Sequence, residues 1–376
     1  MPAYLDYNAS TPIDERVLER MIEVYRHLFG NADSRTHVFG TAAKEIVAQS
    51  RTEIAEILSI DKSDLIFTSG STESNNIAVM GLYRHAIDTG RNHFITTSIE
   101  HKAVLEPMKQ LTKLGCIVDF IDPDESGRVN AENVLSKVTD KTLLVSVMHV
   151  NSETGIIQPV DDIGEELSHK NTYFHIDATQ SFGKMNAEIR KLKYDMLSFT
   201  GHKFGAPQGI GGFVLRRGSD YKRPPTTPLF FGGQQERGIR PGTTPVALIA
   251  GLAKAASICE EEHVILAQKS TDVKSSFMSA IIGLKYEING DPKYCIPSTI
   301  NISFTGVDAE GVFVALKDDY AFSNGSACTS GSFAPSYVLT AMGLDEARIA
   351  SALRLSWDGR MQVDFSNLVK YIEMVV

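Results

Sequence analysis

Two stretches decide how this chain reads: His175-Ile176-Asp177-Ala178-Thr179-Gln180, and Ser198-Phe199-Thr200-Gly201-His202-Lys203-Phe204-Gly205. Each begins as a short apolar run suited to a buried strand and ends in groups that carry chemistry: an acid and an amide in the first, a hydroxyl, a histidine and a lysine in the second. Parallel sheets gather ligands beyond the carboxyl ends of their strands, so reactive groups at successive strand ends argue for a site. Outward from these stretches, β-branched or aromatic runs alternate with helical patterns from about residue 64 to residue 216. Strands are expected at Asp64–Thr68, His93–Thr97, Cys116–Ile121, Thr142–Met148, Tyr173–Asp177, Asp195–Phe199 and Gly211–Leu215. The expected fold class is therefore α/β, with a mostly parallel seven-stranded sheet in a large domain.

Other strand ends add to the pattern: Ser69-Gly70-Ser71-Thr72, Ser98-Ile99-Glu100-His101 and His149-Val150-Asn151. The first runs into an apolar-periodic helix, so free backbone N–H groups and hydroxyls meet at a helix N-terminus, as a phosphate seat requires. Plain N-capping would use the same residues. Neither a GxxxxGK[ST] loop nor a GxGxxG fingerprint is present. Lys203, after a strand and before a glycine-rich turn, is placed to lose its proton and form a Schiff base, and Asp177 on a neighbouring strand can keep a pyridinium nitrogen protonated. His101 opens a helix, where an imidazole can stack on a planar cofactor, move protons, or simply pack.

A helical stretch from about Thr244 to Ile282 joins this domain to a smaller α+β domain containing Thr299–Phe304 and Leu353–Ser356. The expected division is 14–254 for the large domain and 1–13 with 255–376 for the small one. With 376 residues, 43% hydrophobic and 22% charged, the composition excludes a disordered or fibrous chain. The net charge of −9 disfavours a nucleic-acid surface, and no apolar run is long enough for a membrane span. A cytoplasmic protein without direct nucleic-acid or membrane partners is expected. The four cysteines form no CxxC pair, so no metal site is signalled. Cys328, in Gly325-Ser326-Ala327-Cys328-Thr329-Ser330-Gly331-Ser332, has small polar neighbours and reads as an exposed reactive thiol.

In their order and separations, Ser69 to Asn76, Glu100-His101-Lys102, Asn151-Ser152-Glu153-Thr154-Gly155, His175 to Gln180, Gly201-His202-Lys203 and Gly325 to Cys328 closely resemble the cysteine desulfurases. The extended Cys328 loop resembles the first class of that family, the iron–sulfur and nitrogenase-maturation type. The resemblance implies a fold-type I homodimer that uses pyridoxal 5'-phosphate to convert L-cysteine to L-alanine and leaves a persulfide on Cys328. By position, Lys203 would be the Schiff-base lysine and Asp177 the pyridinium partner. Ser71, Thr72, Thr200 and His202 would hold the phosphate, and Gln180 would face the phenolic oxygen. His101 would stack on the ring, and Asn151 and Arg354 would bind the substrate carboxylate. Thr243 would reach the phosphate of the other subunit. A sulfur-acceptor protein is implied, serving iron–sulfur cluster assembly or, alternatively, tRNA thiolation or DNA phosphorothioation. The pattern departs from the family at Asn31-Ala32-Asp33-Ser34, at Ser152 and at Gly232-Gly233-Gln234-Gln235-Glu236. The resemblance to housekeeping members includes a longer tail that docks an iron–sulfur scaffold, and from the ending Tyr371-Ile372-Glu373-Met374-Val375-Val376 such docking is not expected.

Overall fold

The structure is a computed structural model that describes residues 2–218, 220–323 and 335–376. Four strands of the large sheet have the expected bounds, and three begin one residue later, as Leu65–Thr68, Ile117–Ile121 and Met196–Thr200. At the last of these, Asp195 stays outside the strand because its carboxylate accepts the Phe174 N–H at 2.7 Å, fastening the neighbouring strand at its entrance. Across the sheet the order is Leu65–Thr68, Gly211–Leu215, Met196–Thr200, Tyr173–Asp177, Thr142–Met148, His93–Thr97 and Ile117–Ile121. Only Gly211–Leu215 runs antiparallel to its neighbours. The central strands are apolar and buried along their whole length, as expected of a sheet covered by helices on both faces.

The chain leaves the strand His93–Thr97 toward one edge and returns on its other side through Thr142–Met148. Such a reversal opens a crevice at the carboxyl ends of the strands. The opposite edge strand, Leu65–Thr68, is covered by side chains. Glu236 accepts the Phe67 N–H at 2.9 Å, while Arg51 donates to the Leu65 carbonyl at 2.6 Å and to Glu236. Glu236 and Arg237 take left-handed φ values of 46° and 59° to make this contact.

The helix Val246–Ala280 runs unbroken through the division expected at residue 254. Its first half is buried on nearly every side in the large core, and Val273 and Phe277 enter a second core around Phe304, Leu353 and Trp357. That second core lies against an antiparallel sheet of Tyr286–Ile288, Thr299–Phe304 and Ala352–Ser356. The N-terminal segment joins it: Ala3–Tyr4 pairs with Tyr320–Ala321, Asp6 bridges to Ser356, and Leu5 is fully buried there. Among the described residues no helix is long and apolar enough to cross a membrane.

Candidate active site

The carboxyl ends of the large sheet and the strand Ala352–Ser356 enclose a cavity of about 550 Å³, within the usual range for small-molecule sites. Asp177, Lys203, Gln180, Ser71, Thr72, Thr200, His202, His101 and Arg354 all line it. Side chains separated by up to 283 residues (354 − 71) thus face one space.

At its floor, Asp177 is buried at the end of its strand. One carboxylate oxygen accepts the Asn75 Nδ2–H at 2.7 Å and the other the Thr179 backbone N–H at 2.9 Å. Asn75 sits one turn into the helix Ser71–Met80, so the helix that offers its N-terminus to an anion also fixes the acid. At that N-terminus Gly70 has φ 149°, and a Cβ there would lie 3.1 Å from Thr200 Oγ1. Only glycine leaves this cradle open. Ser71 Oγ accepts a hydrogen bond from Thr179 Oγ1 at 2.6 Å. Glu73 receives the Ser69 N–H and is paired with Arg240 at 3.1 Å, which keeps its charge turned to that pair. Burial, aided by the charge of Lys203, pulls the His202 imidazole down to about 4, so it is neutral near pH 7.

Lys203 ends the short turn Gly201–Lys203 and donates to the carbonyls of Asn8 at 2.5 Å and Ala9 at 2.7 Å. Gln180 Nε2 donates to the same Asn8 carbonyl at 2.9 Å. Asn8 is in turn held by Ser356 Oγ, Thr299 Oγ1 and the Ser152 carbonyl. One N-terminal residue therefore ties the lysine to the second sheet. Arg354 is buried, with NH2 on Asp6 Oδ1 at 2.5 Å and NH1 on the Ser152 carbonyl at 3.2 Å. His101 caps the helix Lys102–Lys113, and its Nδ1 accepts the Ala103 N–H at 3.1 Å, which puts the proton of the neutral ring on Nε2.

Three expected site residues stand apart. Asn151 does not line the cavity: its amide donates to the Ile99 carbonyl at 3.0 Å and accepts the Glu153 and Thr154 N–H groups at 2.8 and 3.0 Å. A short side-chain amide followed by Ser-Glu-Thr-Gly closes its own turn. Thr243 is exposed and not part of this chain's cavity lining. Cys328 lies outside the described residues. Asn8, Asp6, Asn75 and Thr179 were not marked from the sequence as site residues. Their contacts are long-range except within the short Asp177–Thr179 turn, where an acid two residues before a hydroxyl was the only available signal.

Glu100, next to His101, is fully buried and accepts Thr97 Oγ1 and the Met148 N–H, both at 2.8 Å. Burial pushes it up to about 8, opposed by those two hydrogen bonds and assisted by the charge of Asp177. The folded state holds this proton more tightly than the unfolded chain. Its stabilisation is complete below the ordinary glutamate range near 4.5 and is lost as the pH rises through about 8. Glu100→Gln keeps an oxygen for both donors and cannot ionise. Thermal denaturation should find it close to the parent at about pH 4 and clearly more stable at about pH 9. Equal melting temperatures at the higher pH would contradict a buried proton.

The set suits a planar aldehyde bearing a phosphate: an anion cradle opened by Gly70, a buried carboxylate held by two donors, and an amine between them. The resident cofactor implied by the sequence fits these residues. Residues 3–360 match the aminotransferase class-V family. A cysteine desulfurase IscS of Escherichia coli is 40% identical over 359 residues, covering 95% of this chain and 88% of that protein. Among solved structures, DndA from Streptomyces lividans superposes with a TM-score of 0.83 at 45% identity, covering 93% of this chain and 98% of that one. SspA, solved in complex with cysteine, does so with a TM-score of 0.83 at 34% identity, covering 95% and 99%. The chain belongs to the class-V aminotransferase family and, within it, to the pyridoxal-phosphate-dependent cysteine desulfurases.

Proposed function

We propose that this chain takes sulfur from L-cysteine, releases L-alanine, and holds the sulfur as a persulfide on Cys328 for an acceptor protein. The observation that carries the reading is the meeting of Lys203, Asp177 and Arg354 on one cavity with both flanks of the Cys328 segment. Pro335 and Tyr337 line that cavity, and Ser323 exchanges backbone hydrogen bonds with Arg354 at 2.6 and 3.3 Å. Cys328 lies five residue steps beyond Ser323 (328 − 323), a span of roughly 17 Å when extended.

Residues 14–254 form the cofactor-binding lobe in this reading, and 1–13 with 255–376 form the lobe that brings Arg354 and Cys328. Ser71, Thr72, Thr200 and His202 hold the phosphate, Gln180 faces the phenolic oxygen, and Asp177 keeps the ring nitrogen protonated. Pyridoxal phosphate supplies an electron sink conjugated to the substrate Cα. Arg354, fixed by Asp6, clamps the substrate carboxylate; the Lys203 amine removes the Cα proton and returns one; and His101 Nε2 exchanges a proton with sulfur. The Cys328 thiolate then attacks the substrate sulfur. A sulfur–sulfur bond forms as the carbon–sulfur bond breaks, and its electron pair stays with the carbon skeleton, which takes up a proton to give alanine.

A homodimer completes the site in this reading. Exposed Phe29, Val38, Phe39, Phe230 and Phe231 lie on two segments joined by a Gln235–Asp33 hydrogen bond of 2.7 Å, and single monomers rarely leave so many aromatics exposed. Thr243 follows the second segment, and a groove including Thr72, Asn76 and Met80 opens beside the phosphate seat to receive it.

The test is Cys328→Ser in protein carrying the cofactor, sedimented to verify a mass about twice 41.2 kDa. Cofactor absorbance should be unchanged, while alanine production with a reductant present falls by about 100-fold or more and no persulfide is trapped by alkylation. Sulfur release at the parent rate would refute the mechanism.

A further inference from the structure

We propose that Glu153 is a positioning residue for sulfur transfer: its carboxylate fastens Ser336, just beyond the Cys328 segment, to the 151–155 loop that also buttresses Arg354. The inference rests on the desulfurase reading and deepens it.

Glu153 is 3% exposed and lines the cavity, yet its role differs from that of the cofactor-facing residues. Its backbone is locked at both ends: the N–H is bonded to Asn151 Oδ1 and the carbonyl accepts from Asn301 Nδ2 at 3.1 Å. The carboxylate accepts the Ser336 hydroxyl at 2.5 Å. Ser336 is itself buried and caps the helix Tyr337–Ala341 by accepting the Leu339 N–H at 3.1 Å. The next residue repeats the fastening, since Tyr337 OH donates to the Glu100 carbonyl at 2.7 Å. The chain after the cysteine segment is thus fixed at two successive side chains to the two loops that carry His101 and Ser152. Burial raises the Glu153 pKa, while Ser336, Arg354, His101 and Lys102 all favour its ionised form, so the contact stands among the cations of the substrate end. A buried carboxylate in such a place costs desolvation, which a hydroxyl donor and the surrounding positive groups offset only in part.

A group that acts only on where the thiol-bearing segment ends should affect sulfur transfer and leave Cα chemistry alone. The experiment uses the full-length enzyme with its cofactor. Solvent exchange of the L-alanine Cα proton reports on the Lys203 step, and trapped persulfide in a single turnover with L-cysteine reports on transfer. Glu153→Ala and Ser336→Ala should each slow persulfide formation by about tenfold, with Cα exchange within about twofold of the parent. The double variant should be no slower than the slower single one, because both remove the same contact. Glu153→Gln, which keeps the acceptor, should restore transfer. Equal slowing of both half-reactions, unaltered transfer in both alanine variants, or additive effects would overturn the proposal. An absence of persulfide in the parent enzyme would instead remove the desulfurase reading.

Discussion

Lys203→Ala is expected to abolish turnover, with a fall on the order of 10,000-fold, and to remove the visible absorbance of the cofactor-bound lysine. The fold should survive. Lys203 Nζ donates to the Asn8 and Ala9 carbonyls, and Asn8 keeps its bonds to Gln180, Thr299, Ser152 and Ser356 when the amine is gone. The stability loss should be about 2 kcal/mol, the summed net worth of two such bonds. Spectroscopy of protein purified with cofactor supplied, together with alanine production, makes the test. An intact band, or activity within tenfold of the parent, would remove the lysine from the mechanism.

The second large effect is expected of Asp177→Asn. The substitution preserves shape: the amide oxygen can still accept the Thr179 N–H, and its NH2 can donate to Asn75 once the Asn75 amide turns over to present Oδ1. On the proposed assignment it removes the negative charge that would keep a ring nitrogen protonated and so would weaken the electron sink where charge develops. A loss of about 100-fold or more in turnover is expected with cofactor still bound through Lys203. Cofactor titration separates the outcomes: tight binding with slow Cα exchange supports the assignment, and unaltered exchange contradicts it. Asn75→Ala tests the same acid more gently, since it removes one of the two donors.

The large sheet was readable because its central strands are buried on both faces and so appear as unbroken apolar runs with chemistry at their ends. The antiparallel course of Gly211–Leu215 was not readable, since strand direction depends on how the preceding turn folds back. Among the residues that line the cavity, Asp177, Lys203, Ser71, Thr200 and His202 were legible because they stand next to strand ends. Asp6 and Asn8 did not, because their partners are more than 140 residues away in sequence. Asn151 shows the converse: a residue in the right motif whose amide is consumed by its own loop. The motif identifies the loop, while Ser152 and Glu153, inside the turn it closes, face the space.

The helix Val246–Ala280 has a mechanical consequence. Thirty-five residues at 1.5 Å each make a beam of about 52 Å whose two ends are embedded in different cores. A joint of this kind offers no loop hinge along its length, so any swing of one lobe against the other would have to bend the helix itself. It also links the fates of the two cores: losing either leaves half of the beam with its apolar side in water, and calorimetry should record one melting event shared by both.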